Sequence, residues 1–522
     1  MLARFIYAGP VTAFNLADLF EIVADACPDR LALVAGDTRL TYRQLDERAT
    51  RVAHHLLDAG VRPGEHVGIL SYNRAEWLET MIGCFKARVA PVNVNYRYVK
   101  DELTHLLGDS ECVALVAEAD LLQNVNRGDL PLLRHVVVLD GPAPDAQDYE
   151  KALAEASPSR ADVLSLTGER SGDDPYILYT GGTTGLPKGV LWRSEDIFFS
   201  AMGGGNIGGT PISDPSELAA AADRDGMRTQ VHAPLMHGGG QWVTWINLTT
   251  GGTIILYTER RFDAAKALEI AARERTQILM LVGNGMGHPV AEELAAREYD
   301  LEIFAFGSGG APLSDDVRAK LLEAIPHAFI SDNLGGSETG AIGPSLGGGR
   351  FQMHPQMAVL SDDLLPVAPG ETGTVARTGN IPLGYWKDEK KSAETFKTGP
   401  DGRRWALQGD YARLEEDGVV LLLGRGSLVV NTGGEKVFTE EVEAALRTCP
   451  GITDAIVVGL PDPRLGSKVA AVVAGTATEE GVKEHCRSLL AGYKIPRALA
   501  VVDELQLTAV GKPDYAWARA QF

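Results

Sequence analysis

Two hydrophobic periods alternate along most of the chain. Across residues 41–60, Leu45, Ala49, Val52 and Leu56 share one face of a helix; Thr41 and Gln44 carry the capping-box pairing at its start, and Gly60 ends it. A short apolar run at 66–70 predicts a strand, followed by a helix over 74–87 and a strand over 89–94. Further strands are expected near 112–117 and 134–139. A second series starts near 229, with strands expected at 253–257, 277–282, 302–306 and 327–331 and helices between them. Strands alternating with helices predict an α/β fold, a large N-terminal domain of layered α/β subdomains with mostly parallel sheets.

The pattern breaks in three places. Residues 160–174 are polar and read as a link, and 201–215 are rich in Gly and Pro and read as a loop. From 371 the texture changes. Residues 413–425 suggest a hairpin turning at Asp417-Gly418, followed by a helix at 439–447, strands at 453–459 and 468–474, and a helix at 479–490. Gly424 and Gly426 flank Arg425, so a boundary is expected there: residues 1–424 form the large domain, and 425–522 a small, mobile α+β domain.

Composition narrows the partners. At 522 residues the chain exceeds one ordinary core, and 45% hydrophobic with 23% charged residues is usual for a globular protein. A net charge of −21 disfavours nucleic acid and anionic lipid, and requires any polyphosphate site to be locally positive. The five cysteines are scattered without CxxC or zinc spacing, which fits a reducing compartment. There is no signal-peptide pattern and no apolar run long enough to span a bilayer, so a cytoplasmic location without integral membrane contact is expected. A homodimer is one assembly this composition allows.

The densest chemistry lies at 179–189, Tyr-Thr-Gly-Gly-Thr-Thr-Gly-Leu-Pro-Lys-Gly. Glycines let backbone N–H groups approach an anion, threonine hydroxyls donate, and Lys188 adds charge. The spacing is not G-x-x-x-x-G-K-[ST], and Pro187 with Val190-Leu191-Trp192 favours a turn into a strand rather than a helix, so a Walker A loop is excluded. Gly307-Ser308-Gly309-Gly310-Ala311-Pro312 follows an expected strand, where backbone could face a flat base; a plain β–α turn explains it equally well. Glu338, in the Gly-rich run Asp332 to Gly340, offers a carboxylate of the kind Mg²⁺ takes together with phosphate oxygens; alone it reads as a solvated glutamate.

Read together, these stretches resemble the adenylate-forming superfamily of acyl-CoA synthetases, peptide-synthetase adenylation domains and firefly luciferase. The resemblance runs essentially the whole length. The wording at 179–185, Gly-Asn-Ile-Pro-Leu-Gly-Tyr-Trp at 379–386 and Gly-Gly-Glu-Lys-Val at 433–437 is closest to bacterial acyl-CoA synthetases, including those acting on steroid side-chain and polycyclic terpenoid acids. It implies a phosphate loop of Thr180, Gly181, Gly182, Thr183, Thr184, Gly185 and Lys188, an adenine segment of Gly309, Gly310 and Ala311 with Asp332, and a Ser337–Glu338 pair on phosphate and Mg²⁺. It implies Asp410 and Arg425 at the ribose, a hinge at Ser427, and Lys512 as the lysine that reaches the α-phosphate and carboxylate. Two positions depart from the pattern: Leu334 replaces an adenine-stacking aromatic, and Ser427 a charged hinge residue.

On the acyl side the resemblance points to His237, with Gly238, Gly283 and Gly307 in the substrate pocket. A structural histidine is the alternative at 237. Glycines at 238–240 and at 283, 285 and 287 read as two loops whose missing side chains leave a wide pocket. The implied reaction takes ATP, Mg²⁺, a carboxylic acid and CoA, with Gly433 and Gly434 near the thiol; a bulky polycyclic or long-chain acid is expected. A carrier-protein thiol as acceptor, and a silent nucleotide-binding scaffold, are the competing readings.

Overall fold

The capping box forms as expected: Thr41 Oγ1 accepts from Gln44 N at 3.2 Å and Gln44 Oε1 from Thr41 N at 2.9 Å, opening the helix Tyr42–Asp58. Its apolar face, Leu45, Ala49, Val52 and Leu56, is buried. This computed structural model describes residues 14–180, 187–222, 224, 226–311, 313–425, 428–432, 435–462, 466–490, 492–508 and 513–522, the side chains of 425, 431, 435, 436 and 466 excepted. The chain is mixed α/β and divides into a large unit, Met1–Ile342 with Gly379–Lys397, and a smaller one, Gly343–Thr378 with Thr398–Phe522. Compactness thus groups 343–378 and 398–425 with the C-terminal residues. No described helix is long and apolar enough to cross a membrane.

The large unit holds two sheets. In the first, Lys188–Arg193, Pro175–Thr180, Ala90–Asn93, His66–Leu70, Cys112–Ala117 and His135–Val138 lie in that order, with short strands Gly384–Tyr385 and Gln147–Asp148 at the edges. Its centre is parallel; Pro175–Thr180 and Lys188–Arg193 are an antiparallel hairpin, and Gly384–Tyr385 adds antiparallel to the latter. In the second, Phe329–Gly336, Ala305–Gly309, Ile278–Leu281, Arg228–Val231, Thr253–Leu256 and Leu31–Ala35 run parallel, and Thr38–Thr41 closes the edge antiparallel. A core containing Trp77, Trp192, Phe198 and Trp245 packs helices against both sheets. Truncating one such buried tryptophan costs about 3–5 kcal/mol.

The smaller unit carries an antiparallel sheet that includes Met357–Leu360, Thr372–Arg377, Arg404–Leu414 and Val419–Arg425. The last two form the hairpin expected at Asp417-Gly418; Gly418 takes φ +79°, which a side chain rarely adopts. The C-terminal α+β pattern also forms: helix Thr439–Arg447, strands Ile452–Asp462 and Gly466–Gly475 paired antiparallel, and helix Glu479–Leu489.

Three expectations need correction. Residues 160–174 are not a simple polar link. Ser159 caps a helix, Arg160–Thr167, and the Arg170 side chain is 1% exposed, paired with Asp18 and Glu21. The strand expected at 302–306 runs Ala305–Gly309, and that expected at 327–331 runs Phe329–Gly336. The glycine runs at 307–309 and 332–336 are therefore strand ends, not the loops after them.

Candidate active site

The hairpin at 175–193 closes between Thr180 and Lys188, which are cross-strand partners. Gly181, Gly182, Thr183, Thr184 and Gly185, expected in the phosphate loop, lie outside the described residues, as do Ser427, Gly433, Gly434 and Lys512. Lys188 Nζ lies 2.5 Å from Asp388 Oδ2, and Asp388 Oδ1 caps the helix Glu389–Thr395 by accepting from Lys391 N at 2.9 Å. The Lys188 ammonium, then that backbone N–H, holds the Asp388 carboxyl below the usual range.

Ser337 and Glu338 sit in the turn between strands Phe329–Gly336 and Gly340–Gly347. Trp192, on the returning strand of the hairpin, donates Nε1–H to Ser337 O at 3.0 Å. Tyr385 donates its hydroxyl to Glu338 Oε1 at 2.8 Å. Burial, then the Glu338 charge, pushes the Tyr385 phenol well up, so it stays a donor. One short segment, 384–388, thus reaches both Glu338 and Lys188. Among the described residues no three His, Cys, Asp or Glu side chains converge as a metal cluster. Glu338 alone suits a hard cation whose remaining ligands are phosphate oxygens and water.

Gly309 and Asp332 lie on adjacent parallel strands, with Ser308 paired to Asp332 and Gly309 to Asn333. Gly310 follows with φ +78°, and Ala311 comes next, half-buried. The Asp332 carboxyl is raised by burial, against the opposing pull of Arg318 and the Ser308 hydroxyl. Arg318 Nη1 is buried without a hydrogen bond and stands 3.7 Å from Asp332 Oδ2. Leu334 is half-buried on the same strand. In the smaller unit, Asp410 is 4% exposed, accepts from Gln408 Nε2, and is the cross-strand backbone partner of Arg425.

The two acyl-side glycine loops are in fact helix starts. His237 is the extended residue before helix Gly238–Leu248, and Gly283 opens helix Gly283–Ala296. Most of these glycines do not leave volume. A Cβ at Gly238 would stand 2.7 Å from Leu178 Cδ2, one at Gly240 2.7 Å from Pro234 O, and one at Gly287 2.7 Å from Leu313 Cδ1. The space beside Gly307 is filled by the Met280 side chain. Of Gly238, Gly239, Gly240, Gly285, Gly287 and Gly307, Gly239 and Gly285 face open space. Both are exposed, and the expectation that missing side chains leave a wide pocket fails at Gly238, Gly240, Gly287 and Gly307.

Residues far from any motif hold these parts together. Asn93 Oδ1 accepts from Tyr179 N at 2.8 Å, while its Nδ2 donates to Tyr179 O at 2.9 Å and Met236 O at 2.6 Å. Asn73 grips the same turn before His237, accepting from Leu235 N at 2.8 Å and donating to Ala233 O at 3.2 Å. Ser308 Oγ accepts from Gly283 N at 3.3 Å, tying the second helix start to the Asp332 strand pair. The sequence signal for Asn93 is a polar side chain at the end of an otherwise apolar strand; Asn73 lies in the loop after His66–Leu70.

A hairpin joined to a turn carrying Ser337 and Glu338, at the ends of parallel strands, is the architecture of an adenylate-forming enzyme. The chain belongs to the AMP-binding enzyme family: its family model matches residues 20–386, and the model of the AMP-binding enzyme C-terminal domain matches 441–512. A medium/long-chain-fatty-acid–CoA/3-oxocholest-4-en-26-oate–CoA ligase of Mycobacterium marinum is 45% identical, covering 98% of this chain and 96% of its own. A 3-oxocholest-4-en-26-oate–CoA ligase of Rhodococcus rhodochrous is 42% identical over the same shares. The structure of ATP-bound MatB from Rhodopseudomonas palustris superposes with a TM-score of 0.83 at 25% identity, covering 97% of this chain and 98% of that one.

Proposed function

We propose that this chain is an AMP-forming acyl-CoA ligase for a bulky steroid-type, other polycyclic or long-chain carboxylic acid. The observation that carries the reading is the 384–388 segment. Tyr385 holds Glu338 and Asp388 holds Lys188, so the carboxylate suited to a cation and the lysine suited to phosphate share one support. The fatty and sterol-side-chain acids named for the two 42–45% identical relatives support the substrate class.

In the first half-reaction, a carboxylate oxygen of the acid attacks the α-phosphorus of ATP and the bond to pyrophosphate breaks. Thr180 to Lys188 grip the outgoing phosphates through N–H, hydroxyl and ammonium groups. Ser337 donates to phosphate, and Glu338 holds Mg²⁺, which when bound supplies positive charge against the phosphate oxygens. Gly309, Gly310, Ala311 and Leu334 flank the adenine, and Asp332 accepts from its amino group. Asp410 accepts from the ribose hydroxyls, with Arg425 beside the ribose. His237 orients the acid beside the helix starts at Gly238 and Gly283. Lys512 stabilises charge at the α-phosphate and carboxylate. The C-terminal domain then turns about Ser427 and brings Gly433 and Gly434 to the acceptor. The CoA sulfur attacks the acyl carbonyl, the thiol proton is lost, and AMP leaves.

The test is pyrophosphate release from Mg·ATP across fatty, aryl, sterol-side-chain and diterpene acids, with acyl-CoA and AMP measured when CoA is added. AMP, pyrophosphate and acyl-CoA from a sterol-side-chain or long-chain acid are expected. ADP as product, transfer only to a phosphopantetheinylated carrier, or no release with any acid would each overturn the reading. Lys512→Ala should abolish acyl-AMP formation while sparing thioesterification of supplied acyl-AMP; equal loss of both would remove that lysine's role.

A further inference from the structure

The chemistry-bearing loop 181–187 hangs between two strands, and the residues that fix those strands lie outside its motif. Tyr179 precedes Thr180 and is 4% exposed. Its ring crosses the hairpin over its cross-strand partner Gly189, where a Cβ would stand 2.7 Å from Tyr179 Cε2 and 3.1 Å from Ile177 Cγ2. Any larger residue at 189 would push the ring away. The phenol then reaches Asp109, donating to Oδ2 at 2.6 Å. Burial, followed by the Asp109 carboxylate, raises the Tyr179 pKa, so the hydroxyl keeps its proton.

Asp109 is the last residue of the helix Lys100–Asp109. Its backbone oxygen accepts from Trp386 Nε1 at 3.1 Å and from Lys387 Nζ at 3.2 Å, and Lys387 also pairs with Glu111 at 2.7 Å. The next residue along, Asp388, holds Lys188 at the other end of the loop. These contacts close a ring: Asp109 to Tyr179, along the hairpin to Lys188, across to Asp388, and back through Trp386 to Asp109. Holding Thr180 and Lys188 in one frame pre-orders these two groups, and this lowers the cost of binding an anion between them.

We propose that Asp109 and Asp388 are positioning residues for ATP, acting through Tyr179 and Lys188 on the two ends of the phosphate loop. This rests on the reading of 180–188 as the loop that grips ATP. The ring explains why two carboxylates lie close to a loop meant for an anion. One has its charge met by a phenol hydroxyl; the other is met by Lys188 and a helix N-cap N–H. A purely structural pair would move stability and both half-reactions alike. A positioning pair moves the ATP dependence alone.

The experiment is ATP–pyrophosphate exchange at saturating acid and varied Mg·ATP, with thioesterification of supplied acyl-AMP and the thermal midpoint measured in parallel. Tyr179→Phe keeps the ring and removes the hydroxyl. Asp388→Asn keeps a residue able to cap the helix and removes the ion pair. Each is expected to raise the KM for ATP about five- to twentyfold, with the KM for acid and the thioesterification rate within about twofold of wild type. Asp109→Leu removes the acceptor for the phenol and is expected to raise the KM for ATP by about the same factor as Tyr179→Phe. Unchanged KM for ATP in Tyr179→Phe and Asp388→Asn, or equal loss of both half-reactions, would overturn the proposal. Absent exchange in the wild type across every acid would instead fall on the ligase reading, and take the clamp with it.

Discussion

The phosphate hairpin and the proposed acyl side are both rich in glycine, yet their glycines do different work. At the hairpin, Gly189 makes way for a tyrosine that must reach a distant carboxylate. On the acyl side, Gly238, Gly240 and Gly287 let helix starts sit hard against neighbouring side chains and backbone, and Gly239 and Gly285 alone of this set leave room. Small residues therefore mark close approach more often than empty volume here. The phosphate side depends on directed polar contacts and the acyl side on packing, and the two should fail differently when broken.

The largest effect is expected on the phosphate side. Glu338→Ala should lower the rate of acyl-AMP formation by about two to three orders of magnitude with little change in thermal midpoint, because Glu338 is only half-buried. Isotope exchange and calorimetry check the two parts; a large fall in midpoint would make Glu338 a structural residue.

Next comes acid sensitivity on the acyl side. His232, just after strand Arg228–Val231, is buried, and burial lowers its pKa to about 4. A depressed folded pKa means that the unfolded chain takes up the proton first, so stability is full above about pH 6.5 and is lost as pH falls towards 4, by up to roughly 3 kcal/mol. Urea midpoints across that interval measure the slope. His232→Asn should flatten it, and an unchanged slope would assign the loss to other groups.

Gly240→Ala is expected to destabilise by about 1–3 kcal/mol, because the new methyl meets a backbone oxygen that cannot swing aside. Denaturant unfolding reads it, and Gly239→Ala, facing open space, is the matched control. The smallest effect sharpens the comparison most. Gly285→Leu should cost about tenfold in kcat/KM for a polycyclic acid relative to a medium-chain acid, with the KM for ATP unchanged. A shift in the ATP dependence would mean that the two sides are not separable at this position.

Much of the fold was legible. The Thr41–Gln44 capping box and the Asp417-Gly418 turn carry local chemistry that determines local geometry. The glycine runs at 307–309 and 332–336 misled because glycine signals a loop wherever only neighbouring residues are considered. These segments are strand because parallel neighbours supply their hydrogen bonds. Arg170 looked like a linker residue since Asp18 and Glu21, its partners, lie about 150 positions away in the chain. The motif residues of the site could be named, but not what supports them. Asp109 is 70 positions from Tyr179 and 277 from Trp386, and no periodicity connects such distances.

Asn93 belongs to both sides at once. Its carboxamide holds the strand entering the phosphate loop with two hydrogen bonds and the turn before His237 with a third. A change there would disturb the nucleotide and the acid together. Variation at Gly239 or Gly285 touches neither set of bonds. In the proposed reading, the acid can therefore change at the open glycines without disturbing the amide that fixes the strand entering the phosphate loop.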